Sequence, residues 1–146
     1  MGFELIALLC AALFAGASIY VSVVEHPARM GAGVGVALAE WRPSYRCAAL
    51  MQSILAVLGF LAAVVAYAAA GRGLPALAGG LFLISVAPWT VIVIMPTNRQ
   101  LLDPARRAEA PDTATLLEPW GRLHAVRTVA GVVATAVLAP AIAGYL

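Results

Sequence analysis

Polar and apolar positions divide the chain into four long apolar runs joined by shorter polar segments. No Asp, Glu, Lys or Arg occurs in residues 5–24, 47–71, 73–98 or 128–146, and about 20 apolar residues are enough for a helix to cross a bilayer. The runs are continuous and rich in Ala, Leu and Val. They predict helices and not the alternating strands of a barrel, the only other structure that satisfies its own backbone in lipid. The predicted fold is all-α, an integral-membrane four-helix bundle forming a single domain over residues 1–146, with spans at about 4–25, 46–71, 74–98 and 120–145. The first run lacks the basic flank of a secretory signal, since Glu4 is its only early charge, and it reads as an uncleaved span.

Charge adds a direction. All nine basic residues are Arg, and only Arg72 falls on the side opposite the segments that follow spans one and three. This positive-inside bias places both termini outward and the two longer connections in the cytoplasm of a multi-pass inner-membrane protein. A net charge of +2, with Glu25, Glu40, Asp103, Glu109, Asp112 and Glu118 on the basic side, leaves no footprint for nucleic acid. The partner it does imply is the lipid bilayer. Cys10 and Cys47 are expected at different depths, which argues against a disulfide between them.

Polar residues inside this frame are few and patterned. Trp120, His124 and Arg127 stand at i, i+4 and i+7, one face of a helix entering the fourth span. Ser18, Ser22, Glu25 and Arg29 form a stripe on the first span, where the ordinary alternative is hydroxyls bonded back to their own helix beside an i, i+4 ion pair. In Glu25-His26-Pro27 the proline disfavours helix at His26, so the first span is expected to end there. Residues 30–40, apolar and spaced by glycine, read as a flexible lid or interfacial segment. Their GxGxG has no strand before it and is weak support for a nucleotide site.

Trp41, Tyr45, Ala48 and Gln52 share a face at the start of span two. The two aromatics fit either a substrate site or the aromatic belt of a membrane interface. Gly71 to Pro75 predicts a tight turn, Pro88 a bend near Trp89 and Thr90, and Pro96-Thr97-Asn98 the end of span three. Asp112 is placed to cap a short helix toward Trp120, with Pro119 kinking it or opening span four.

Four-span topology brings the ends of these segments together. His26, Trp41, Tyr45, Asn98, Trp120, His124 and Arg127 are all expected at the cytoplasmic end of the bundle. Ionisable groups near lipid point to function by default. His26, His124 and Glu25 are candidates for proton transfer, with Arg127 and Asn98 to hold a developing oxyanion. Trp41, Tyr45, Gln52, Trp89 and Trp120 would bind a flat lipophilic small molecule. His26, His124 and Glu25 would equally suit a transition metal such as copper, iron or zinc. No HxxxH or CxxC pair fixes such a site, and a reaction without a cofactor is open to the same groups. A transporter or ligand-binding protein, for which a homo-oligomer could build the pathway, and a purely structural membrane subunit are the competing classes. Four spans without a repeated half speak against ordinary alternating access.

The segments His26-Pro27-Ala28-Arg29, Trp41 to Tyr45, Met95-Pro96-Thr97-Asn98 and Trp120 to His124 with Arg127 resemble, in order and spacing, the anthrone oxygenase family of small four-span membrane proteins. That resemblance implies a helical bundle and oxidation of an anthrone, phenol or quinol type of substrate by dioxygen, without an established organic cofactor. It also implies that His26, Asn98, Trp120, His124 and Arg127 are the shared polar residues.

Overall fold

The computed structural model describes residues 2–70 and 74–143, so part of the turn expected at Gly71 to Pro75 lies outside the described residues. Every regular element among them is helical, and four runs are long and apolar enough to cross a membrane: Gly2–Gly31, Val34–Ala69, Leu74–Leu102 and Asp112–Pro140. The first comprises α1 (Gly2–Tyr20), a π-helical turn (Val21–Glu25) and α2 (His26–Gly31). The second is α3 (Val34–Ala70). The third comprises α4 (Leu74–Ile84), α5 (Val86–Trp89), a second π-helical turn (Thr90–Ile94) and α6 (Met95–Leu102), and the fourth is α7 (Pro111–Ala143). Each span packs on its sequence neighbours, and α7 closes the ring against α1.

Large side chains point away from the bundle. Leu9, Leu13, Leu50, Leu58, Leu61 and Leu81 are exposed, whereas the interior is built from Ala7, Ala11, Ala56, Ala63, Ala66 and Ala134 around Phe14, Leu83 and Leu138. In lipid a leucine gains nothing by leaving the acyl tails, so association depends on how closely backbones approach. Gly80 illustrates this: a Cβ there would lie 2.5 Å from that of Ala63. The second and third spans meet where a side chain is missing.

Three expectations from sequence are corrected. The first span does not stop at His26, which keeps helical angles and leads into α2. The π-helical turn explains why. His26 N–H donates to Val21 O, and Met95 N–H donates to Thr90 O, each five residues back. In both places a proline follows at once, and the widened turn sits where its ring would meet the carbonyl four residues behind. Residues 30–40 are not a lid. Only Ala32 and Gly33 interrupt the helices, Gly33 at a φ of 96° open to glycine, and α3 begins at Val34. Third, α7 is one helix from Pro111 onward, so Asp112 lies in its first turn and not at its cap, and of the two places open to Pro119 it takes the one inside a helix.

These extensions build a second core. At a rise of about 1.5 Å per residue, the 37 residues of α3 exceed the roughly 30 Å of a hydrocarbon layer. Leu38, Trp41, Ile94, Leu101, Leu117 and Trp120 pack together in an aromatic cluster distinct from the alanine core. The Asp103 to Ala110 connection is held to it by Arg42, which donates to Leu101 O at 3.0 Å, Asp103 O at 2.7 Å and Arg106 O at 3.0 Å. Charged donors to carbonyls contribute about 1.5–3 kcal/mol each at most. Arg42→Ala is therefore expected to speed tryptic cleavage after Arg106 or Arg107 by about tenfold while leaving bundle unfolding nearly unchanged. Limited proteolysis in detergent checks this, and an unaltered cleavage rate would mean the loop is held by something else.

Candidate functional site

The i, i+4, i+7 face of α7 is buried as its spacing required, with Trp120, His124 and Arg127 all below a tenth exposed. Trp120 is the centre. Its ring lies 5.0 Å from that of His124 in a near-parallel stack, 5.2 Å from His26 and 5.6 Å from Trp41, edge to face. Trp41 stacks in turn on Tyr45 at 4.8 Å. One indole thus touches both histidines of the chain and joins them to the aromatics of α3.

Asn98 locks this arrangement. Trp120 Nε1 donates to Asn98 Oδ1 at 2.8 Å, and because an indole can only donate, the amide orientation is fixed. Asn98 Nδ2 then donates to Tyr45 Oη at 3.0 Å. The amide expected as an oxyanion donor is thereby engaged at both ends and links the rings of Trp120 and Tyr45.

His124 is tied to the first span by a chain of hydroxyls whose direction follows from its last member. Thr128 Oγ1 donates its only proton to Ser18 O at 3.1 Å, since a carbonyl can only accept. Thr128 must then accept from Ser22 Oγ at 2.9 Å, and Ser22 must accept from His124 Nδ1 at 3.1 Å. The proton of the neutral ring sits on Nδ1, and Nε2 keeps its lone pair. Ser22 is one of the four residues of the polar stripe seen in the sequence, but it bonds across to α7 and not back to its own helix.

Arg127 reaches α3. Its Nη2 donates to Gln52 Oε1 at 2.6 Å and its guanidinium lies 5.6 Å from the Phe14 ring centre. Arg127 Nε and Gln52 Nε2 are buried with no acceptor, and among the described residues no carboxylate pairs with Arg127. His26 Nδ1 and Trp41 Nε1 are likewise buried and without a partner.

Glu25 is placed elsewhere. It pairs with Arg29 and accepts from Ser44 Oγ, while Arg29 Nε also faces Glu40 Oε2 at 2.8 Å. This cluster ties α2 to α3. Among the described residues no three His, Cys, Asp or Glu side chains come together as a metal would require. The candidate metal set of His26, His124 and Glu25 is therefore not assembled, because Glu25 turns to Arg29 while His124 turns to Ser22.

Two spaces adjoin Arg127 on the α3 side. A void of about 20 Å³ touches Tyr45, Gln52, Trp120, His124 and Arg127, room for one water or a diatomic gas. It shares Tyr45, Ala49, Gln52 and Arg127 with a larger cavity of about 250 Å³ between α3 and the third span. Trp89 packs against the aromatic cluster but lines a different cavity, of about 340 Å³ between the third span and α7, which also touches Arg127; its Nε1 donates to Leu123 O at 3.1 Å.

The profile of the anthrone oxygenase family matches residues 41–137, two-thirds of the chain. The chain belongs to the anthrone oxygenase family. The matched stretch holds Trp41, Tyr45, Gln52, Asn98, Trp120, His124 and Arg127, and omits the first span. An anthrone oxygenase of Claviceps purpurea (strain 20.1) is 27% identical over 145 aligned residues, which cover 88% of this chain and 81% of the relative. No solved structure matches it. In this anthrone oxygenase family member the sequence pattern located the rings and both histidines. It missed Thr128, Ser44 and Phe14, whose only signal was a helical phase matching Ser22, Glu25 and Arg127 on neighbouring spans.

Proposed function

We propose that this membrane protein is an oxygenase that oxidises a flat lipophilic aromatic of the anthrone, phenol or quinol type with dioxygen, at a site on the cytoplasmic side of the bundle. The observation that carries the reading is the hydroxyl chain that puts the proton of a neutral His124 on Nδ1, with the lone pair on Nε2, beside a buried Arg127 that no described carboxylate compensates. A base next to a cation is what carbanion formation needs. Family membership supports the oxygenase class.

For an anthrone the steps balance without an external reductant. His124 Nε2 takes a proton from the ring methylene, and the electron pair left behind becomes an enolate whose oxygen is stabilised by Arg127. The enolate passes one electron to dioxygen, and the resulting pair combines in a new C–O bond. The peroxide anion regains a proton from His124. Loss of the second methylene proton then breaks the O–O bond, giving the carbonyl and water. The methylene loses two hydrogens and gains one oxygen, and the other oxygen leaves as water. The void against Trp120 and His124 fits dioxygen, and the surrounding rings exclude bulk water.

Purified protein in nanodiscs, given a simple anthrone, is expected to consume one dioxygen per anthrone and to place one atom of labelled oxygen in the quinone. Uptake no faster than uncatalysed autoxidation across anthrones, phenols and quinols would end this reading in favour of a binding or structural role.

A further inference from the structure

The space beside His124 is far too small for an aromatic ring system, so a ligand has to be held in a larger space that reaches it. The 250 Å³ cavity does so through the four residues it shares with the void. Its rim carries Val57 and Val91, 47% and 63% exposed on the outer surface of the bundle. An opening rimmed by such side chains faces acyl chains and not water. Its volume is near the lower end of ligand pockets, which start at about 300 Å³, and suits a small fused-ring molecule partly left in lipid.

The inner end of this cavity is short of negative charge. Arg127 and Gln52 are 7% and 1% exposed, and both line it. A cation buried in a membrane bundle normally has an anion to compensate it. Here Arg127 has an amide oxygen and an aromatic face, and the two donors left over, Arg127 Nε and Gln52 Nε2, have no acceptor.

We propose that the cavity between α3 and the third span is a lateral binding site, reached from the bilayer, for a flat lipophile carrying an ionisable hydroxyl or enolate. The ligand's oxyanion supplies the counter-charge of Arg127 and accepts from Gln52. The wider groove past Trp89 also touches Arg127 but reaches neither Gln52 nor the void beside His124, and it is not the route. This inference rests on the proposed function only in the kind of ligand it selects, and it is tested by binding without turnover.

The probe is 1,8-dihydroxyanthraquinone, already oxidised, titrated into wild-type and variant protein in nanodiscs and followed by quenching of tryptophan fluorescence, with anthracene as the oxygen-free comparison. Gln52→Glu places a carboxylate beside Arg127 and supplies the missing charge from within. It is expected to weaken the probe by about tenfold or more and to leave anthracene unchanged. Ala87→Phe, at an exposed position lining the cavity, is expected to weaken both. Val126→Phe, in the groove past Trp89, is expected to weaken neither. Probe binding indifferent to Gln52→Glu, or blocked by Val126→Phe and not by Ala87→Phe, would overturn the assignment. Binding as expected without oxygen uptake would sink the oxygenase reading alone, while uptake that survives Gln52→Glu and Ala87→Phe would sink this one alone.

Discussion

His124→Gln is expected to lower anthrone turnover by about 10²–10⁴-fold, the range that a positioned base contributes. Glutamine keeps much of the volume and some of the stacking on Trp120 but has no lone pair that can hold a proton at neutral pH. Ser22→Ala leaves the ring in place and removes the acceptor of Nδ1–H. The tautomer is then no longer enforced, and a smaller loss of about tenfold is expected, on kcat more than on KM. Thr128→Val acts on the same chain one step further away. Because Ser22 and Thr128 work in series, the double variant should lose little more than Ser22→Ala does. Steady-state oxygen uptake on the four variants decides the matter. His124→Gln with more than half of the wild-type rate would remove His124 as the base, and additive losses at Ser22 and Thr128 would mean that they do not form one chain.

What could be read from the sequence divides along physical lines. Membrane spans follow from solvation, which acts on each residue separately, so their number and apolar centres were visible in composition alone. The Trp120, His124 and Arg127 face was equally visible, because helical periodicity needs no knowledge of a partner. Helix was misread at His26, over residues 34–40 and at Asp112, where local proline, glycine and capping rules gave way to the hydrogen-bond demands of a bundle. A π-helical turn ahead of Pro27 and of Pro96 keeps the backbone paired through a residue that breaks helices in water. Partnerships across spans were the least legible. The bonds of Ser22 with Thr128 and of Gln52 with Arg127 depend on the rotational phase of one helix against another. That phase is set by contacts such as Gly80 on Ala63, which no single-helix pattern encodes.

Gly121 is where packing and chemistry meet most tightly, and Gly121→Ala is expected to disable His26 without touching its chemistry. A Cβ at this position would stand 2.5 Å from His26 Cδ2 and 2.7 Å from its Nε2. The backbone of α7 is no obstacle, since alanine in a helix is favoured over glycine by about 0.8–1 kcal/mol. Overpacking costs about 1–3 kcal/mol, so the net loss of stability should be small, on the order of 1 kcal/mol. The larger effect falls on geometry. His26 must swing away from Trp120, and a displacement of about 1 Å near reacting atoms can cost on the order of 10²-fold in rate. His26→Ala relieves the collision, so Gly121→Ala with His26→Ala should be more stable than the sum of the two single changes, by the coupling expected of residues in contact. Thermal unfolding of the three variants measures that coupling, and additivity would show that the imidazole is not held against α7. Activity then separates the roles of His26. If the ring is needed, the double variant stays as slow as Gly121→Ala; if it only fills space beside Trp120, relieving the collision restores turnover.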